Sequence, residues 1–146
     1  MVEKTLNLLL VEDNPGDVRL FKEYLKSFNP DAFHWDYDSS VSDCLKRLDH
    51  DPMDLILLDL NLPDGTGLDT LQQVHNKKPE IPIIILTGNQ DAALAIESLK
   101  NGAQDYLIKN NMDSDLLIRS IRYSIERFQL FKKIQEERQR YELVAT

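Results

Sequence analysis

Glu12 and Asp13 close the apolar run LNLLLVED (6–13). Asp59 sits near the end of DLILLDL (54–60), Thr87 near the end of IPIIILTG (81–88), and Lys109 near the end of DYLIKN (105–110). Each polar group stands where a run rich in Leu or Ile gives way to a loop. If those runs are neighbouring strands, three carboxylates, a hydroxyl and an ammonium converge at one edge. Two like charges about 4 Å apart repel by roughly 4 kcal/mol at an effective dielectric of 20, and folding gains nothing from that repulsion. A divalent cation relieves it, and hard Mg²⁺ takes a few carboxylate oxygens together with water and phosphate oxygens. A cation and a lysine would screen an incoming anion, a hydroxyl would bind a phosphoryl oxygen, and one aspartate would attack phosphorus. The chemistry that fits the set is phosphoryl transfer to a carboxylate. Any one of these residues alone reads as an ordinary cap of a strand or helix.

Elements that could position such a set follow from the pattern. A fifth run, AFHWDYDS (32–39), alternates Phe33, Trp35 and Tyr37 against His34, Asp36 and Asp38, as a half-buried strand near a sheet edge does. Between the runs lie helical spacings: DVRLFKEYLKSF (17–28), VSDCLKRLDH (41–50), GLDTLQQVHNK (67–77) and DAALAIESLKNG (91–102), the last stopped by Gly102. Strand and helix alternate five times. Fully apolar strands in such an alternation predict an α/β fold, a parallel sheet with helices on both faces, joined by right-handed crossovers. Ligands of such doubly wound sheets bind at the carboxyl ends of the strands, where the polar groups are.

The segment from Ser114 runs without Gly or Pro to the end of the chain, and as a helix it extends well over ~40 Å, beyond the thickness of a domain this size. Leu117, Ile121 and Ile125 can pack on the sheet. Farther on, Leu130, Ile134, Tyr141 and Val144 form a weak coiled-coil seam, with Glu137 in one heptad position. Phe128, Leu130, Phe131 and Ile134 are expected to stand exposed on a lone helix. A homodimer through this helix is therefore expected, with a solvated tail as the bland alternative. The expected division is 1–128 for the domain and 129–146 for the helical extension.

The bulk numbers remove other classes. With 42% hydrophobic and 29% charged residues the 146-residue chain reads as one globular domain. A net charge of −8 argues against a nucleic-acid surface. Cys44 is the single cysteine, so no intrachain disulfide forms, and a reducing, cytoplasmic location is expected. No apolar run is long enough for a membrane span, and the N-terminus does not read as a signal peptide. His34, His50 and His75 lack the company a phosphotransfer histidine needs. PDGTG (63–67) matches no phosphate-binding loop and reads as a turn.

The motifs LLLVEDN, LILLDLNLPDGTGLD, PIIILTG and GAQDYLIK together resemble the receiver domain of two-component response regulators, the family of the chemotaxis response regulator, over residues 6 to about 128. The resemblance implies a flavodoxin-like five-stranded sheet of order 2-1-3-4-5, here with an extended C-terminal helix. It implies Asp59 as phosphoacceptor and Mg²⁺ held by Glu12, Asp13, Asp59 and the backbone carbonyl of Asn61. It implies Thr87 as switch hydroxyl, Lys109 as phosphate-pairing lysine and Tyr106 as switch aromatic. The partner it implies is a sensor histidine kinase or phosphotransfer protein in a phosphorelay. Asn110 departs from the proline that usually follows the lysine, which leaves the loop geometry there open. The long helix resembles linkers to further signalling modules, so the alternative is the receiver fragment of a larger hybrid protein. A phosphatase of the haloacid dehalogenase type would want an acid where Asn61 stands, and a pseudo-receiver would lack site groups that are present here.

Overall fold

The computed structural model describes residues 4–88 and 92–145. The expected helix start at Asp91 and the side chain of Val144 lie outside the described residues. Five parallel strands form the sheet: β1 (Leu6–Val11), β2 (Phe33–Asp38), β3 (Leu55–Asp59), β4 (Ile83–Thr87) and β5 (Asp105–Ile108). Their order is β2-β1-β3-β4-β5, as expected. Leu8 pairs with Leu55 and Trp35, and Asp59 pairs with Leu86. Because side chains alternate along a strand, each central strand feeds two cores. Leu9, Val11, Ile56, Leu58, Ile83 and Ile85 face α2 (Val41–Leu48), α3 (Gly67–Lys77) and α4 (Ala92–Lys100). Leu8, Leu10, Leu55, Leu57, Ile84 and Leu86 face α1 (Pro15–Lys26) and α5 (Ser114–Ala145). This double burial is why β3 and β4 read as unbroken apolar runs, each residue of both being buried.

Boundaries moved for local reasons. α1 starts at Pro15 rather than Asp17, because Asn14 caps it through the amides of Gly16 and Asp17 and proline suits the first helical position. α4 ends at Lys100, and Gly102 with φ of 109° turns the chain away. On β2, Trp35 meets Phe21 edge-on at 5.1 Å as expected of a sheet-packing ring, but Tyr37 is exposed. The partly buried residue beside it is Asp38, held bidentate by Arg47 at 2.8 and 3.0 Å. Cys44 is buried, and burial pushes its thiol up to about 12, with Asp38 adding to the rise and Arg47 opposing it.

The PDGTG turn proves to be a small antiparallel hairpin, Asn61–Leu62 against Gly65–Thr66, that opens α3. Asp64 at its tip accepts from the amides of Val41 at 2.8 Å and Ser42 at 3.0 Å, while Ser40 takes that of Asp43. Three of the four orphan donors of α2 are thus satisfied, two of them by a residue from another element. Asp64→Ala should lower stability by about 1 kcal/mol, seen as a lower melting temperature. Those amides hold the Asp64 pKa below the ordinary carboxylate value. Its contribution is therefore present above the unfolded pKa and fades as pH falls through the folded one. A variant that melts as the parent does at neutral pH would show that solvent serves those amides equally well.

α5 is one continuous helix. Among the described residues its buried positions end at Ile125, and Phe128 is half-buried rather than exposed. Leu130, Phe131 and Ile134 are exposed, as expected. No helix among the described residues is long and apolar enough to cross a membrane.

Candidate functional site

The carboxyl ends of β1, β3, β4 and β5 gather the expected set. Glu12, whose amide extends the β1–β2 ladder to the Asp38 carbonyl, and Asp59 are both buried, while Asp13 is exposed. One oxygen from each of the three acids falls within 4.8 Å of the others. Hard Mg²⁺ takes a few carboxylate oxygens, and these three acids could hold such an ion. Asn61 follows two residues after Asp59, and its amide donates to Asp59 Oδ1 at 2.9 Å, fixing that backbone against the carboxylate.

Lys109 leads a 3₁₀ turn, Lys109–Asn111, directly after β5. No cis peptide bond occurs among the described residues, Lys109–Asn110 included. The ammonium hydrogen-bonds Asp59 Oδ2 at 3.0 Å and Asp17 Oδ2 at 2.9 Å. It also lies 2.7 Å from Glu12 Oε2, an ion contact without hydrogen-bond alignment, which leaves that buried oxygen open to a better-placed ligand. Burial pushes the Glu12 carboxyl up to about 7. Lys109 pulls it back, and the Asp59 charge adds to the rise. Burial works against the Lys109 charge, but pairing with Glu12, Asp17 and Asp59 outweighs it and holds the pKa above the ordinary lysine value.

Thr87 is buried at the end of β4, its hydroxyl donating to the Gly88 carbonyl at 3.2 Å and not to the acids. Tyr106 is not at the strand end level with Thr87. It pairs with Ile85, while Thr87 pairs with Ile108. Its ring is half-buried against the core beneath α2, α3 and α4. Among the described residues, neither side chain is hydrogen-bonded to the acid cluster.

Asp17 is the member that sequence reasoning missed. The sequence pattern puts it at the start of an amphipathic helix, and its contact to Lys109 spans 92 positions. The available signal was topological: α1 and α5 share a face, so the first turn of α1 overhangs the end of β5.

The chain matches a family model described as response regulator receiver domain over residues 8–122. It is 38% identical over 100 residues to the luminescence regulatory protein LuxO of Vibrio campbellii, covering 68% of this chain and 21% of that one. It is 32% identical over 114 residues to the cell cycle transcriptional regulator CtrA of Caulobacter vibrioides, covering 78% of this chain and 48% of that one. Among solved structures, the receiver domain of a putative LuxO repressor from Vibrio parahaemolyticus superposes with a TM-score of 0.76 at 27% identity, covering 90% of this chain and 98% of that one. The chain thus spans about a fifth of the length of LuxO and about half that of CtrA. These relatives are regulators, which does not favour the hybrid-protein alternative.

Proposed function

The chain belongs to the response regulator receiver domain family, and from that premise we propose that Asp59 is its phosphoacceptor. In this reading Glu12, Asp13, Asp59 and the Asn61 carbonyl hold Mg²⁺, while Lys109, Thr87 and Tyr106 respond to phosphorylation. The observation that carries it is the Lys109 ammonium 3.0 Å from Asp59 Oδ2, inside a group of carboxylates that folding alone would not assemble. An oxygen of Asp59 attacks phosphorus, forming an O–P bond as the P–N bond of a phosphohistidine donor breaks. The displaced imidazole takes its proton from water. Mg²⁺, when bound, supplies charge that offsets the incoming phosphoryl oxygens. Lys109 pairs with one of those oxygens. The Thr87 hydroxyl leaves its single weak bond to Gly88 for another, and the vacated space admits the Tyr106 ring.

The donor in this proposal is a sensor histidine kinase or phosphotransfer protein, and the output is a changed affinity for partners. The chain acts on no other substrate and catalyses only its own phosphorylation and dephosphorylation. Residues 1–128 form the receiver and 129–146 an extension through which two copies associate. A cytoplasmic setting is supported by the lone, buried Cys44.

Acetyl phosphate with Mg²⁺ tests the proposal. One acid-labile phosphoryl group should add to the chain, and Asp59→Asn should add none. Undiminished labelling of that variant would place the acceptor elsewhere, and an unlabelled parent would make the domain a pseudo-receiver.

A further inference from the structure

The site described so far uses three of the carboxylates that touch or neighbour Lys109. The fourth, Asp17, lies in the first turn of α1, and nothing in the phosphoacceptor reading requires it. Its placement is built. The Asn14 amide donates to Glu12 Oε1 at 3.1 Å. The Asn14 side chain then accepts from Gly16 at 2.8 Å and from Asp17 at 3.2 Å. A carboxylate three residues into a helix commonly reaches back toward its own cap. Here the cap is already satisfied, and Asp17 turns to Lys109 at 2.9 Å. The chain VEDNPGD therefore ties a metal-group acid, a helix cap and a lysine partner into one rigid unit.

We infer that Asp17 is a positioning residue for phosphoryl acceptance: it holds the Lys109 ammonium while a cation occupies the acid cluster and releases it to the phosphoryl group. The inference rests on the phosphoacceptor reading above and deepens it. In the structure one ammonium serves Glu12, Asp59 and Asp17 together. A dication drawn to Glu12, Asp13 and Asp59 takes the first two of those partners and repels the lysine. Asp17 is the carboxylate in contact with Lys109 that lies outside the metal group among the described residues. It is also the most open of the three, with 31% of its side chain accessible, so it can keep a cation without a desolvated charge being stranded. When a phosphoryl group arrives on Asp59, the lysine has a stronger anion to meet, and Asp17 competes with it.

This competition gives opposite signs for two ligands. Without the Asp17 charge, Lys109 has no second resting place, and Mg²⁺ has to displace it into nothing. Mg²⁺ alone should bind more weakly. The same variant has no hold on the lysine to break, so an anion on Asp59 should bind more tightly. Loss of helix integrity would weaken both.

The test is titration of the full chain with Mg²⁺, and then with beryllofluoride at saturating Mg²⁺, followed through backbone amide shifts of residues 59–61. The Asp17→Asn variant should bind Mg²⁺ about threefold more weakly and beryllofluoride up to about fivefold more tightly, the range a partly exposed ion pair supports. Asp17→Glu, which keeps the charge, should return both toward the parent. A plain field effect of Asp17 would have the same signs, so the Mg²⁺ titration is repeated in Lys109→Met. There Asp17→Asn should change nothing, and a change of the same size would remove the lysine from the argument. Both ligands moving in one direction, or neither moving, would overturn the positioning role while a parent that binds beryllofluoride leaves the phosphoacceptor reading intact. A parent that binds none would bring down both.

Discussion

Lys109→Met should melt at least 5 °C below the parent at pH 8 without Mg²⁺, with the deficit narrowing as the pH falls toward 5. Removing one partner of a buried ion pair costs roughly 3–5 kcal/mol, because the other charge stays desolvated. Lys109 is about a fifth exposed, so the lower part of that range applies, and each kcal/mol moves the melting point of a chain this size by about 2–4 °C. The pH dependence follows from Glu12. Its folded pKa of about 7 stands above the ordinary 4.5, so between those values the folded state keeps a proton that the unfolded chain has lost. Stability from this group therefore falls as pH rises through that window. Without Lys109 the pull that lowers the Glu12 pKa is gone, and the window extends upward. At pH 5 Glu12 is neutral in the fold, so the missing ammonium matters less there, although Asp59 still loses its partner. Millimolar Mg²⁺ should recover most of the loss at pH 8, because it supplies the missing positive charge to Glu12 and Asp59. Differential scanning calorimetry at the two pH values, with and without Mg²⁺, reads all of this. A variant as stable as the parent at pH 8 without metal would mean that solvent already screens the acids and that Lys109 contributes nothing to the resting fold.

That dependence on neighbours explains what the sequence made legible and what it hid. Strand ends are legible because a parallel strand buried on both faces must be apolar throughout, so the first polar residue marks where the apolar core stops. Glu12, Asp59 and Thr87 were all found this way, and all three are buried at the carboxyl ends of their strands. Lys109 was found by the same logic. Side-chain partners from elsewhere in the chain carry no such mark. Asp17 and Lys109 meet across 92 positions because α1 packs beside α5 on one face of the sheet, and Asp64 reaches the start of α2 across 23 positions. Arg47 holds Asp36 and Asp38 from a neighbouring element, which turned an expected solvent-facing acid into a partly buried one. Register was hidden too. Tyr106 pairs with Ile85, two residues before Thr87. A strand only half apolar does not announce which of its residues sits at the rim.

Truncation after Phe128 should convert a concentration-dependent dimer into a folded monomer. The domain core draws on nothing described beyond that point: among the described residues Ile125 is the last buried side chain of α5 and Phe128 the last half-buried one. Beyond it Leu130, Phe131 and Ile134 stand between 51% and 59% exposed and Tyr141 is 81% exposed, on a helix with no core to cover. A lone helix of this length in water is marginal, and burying one such side chain is worth roughly 1.5–3 kcal/mol. A second copy offers the same stripe, and a twofold axis pairs it with itself. Leu130, Ile134 and Tyr141 keep the spacing of a heptad seam, but Glu137 interrupts it, and charged residues of both signs flank it. Association also costs several kcal/mol in lost freedom. Such a balance fits a weak, concentration-dependent dimer rather than an obligate one. Light scattering across a concentration series should therefore show the full chain moving from monomer to dimer and the truncated chain remaining monomeric with an unchanged melting temperature. The double variant Leu130→Glu/Ile134→Glu should behave as the truncation does, because two like charges then face each other across the seam. A full chain that stays monomeric at high micromolar concentration would leave the end of α5 as a solvated tail, and its apolar residues would then be too scattered to hold two copies together.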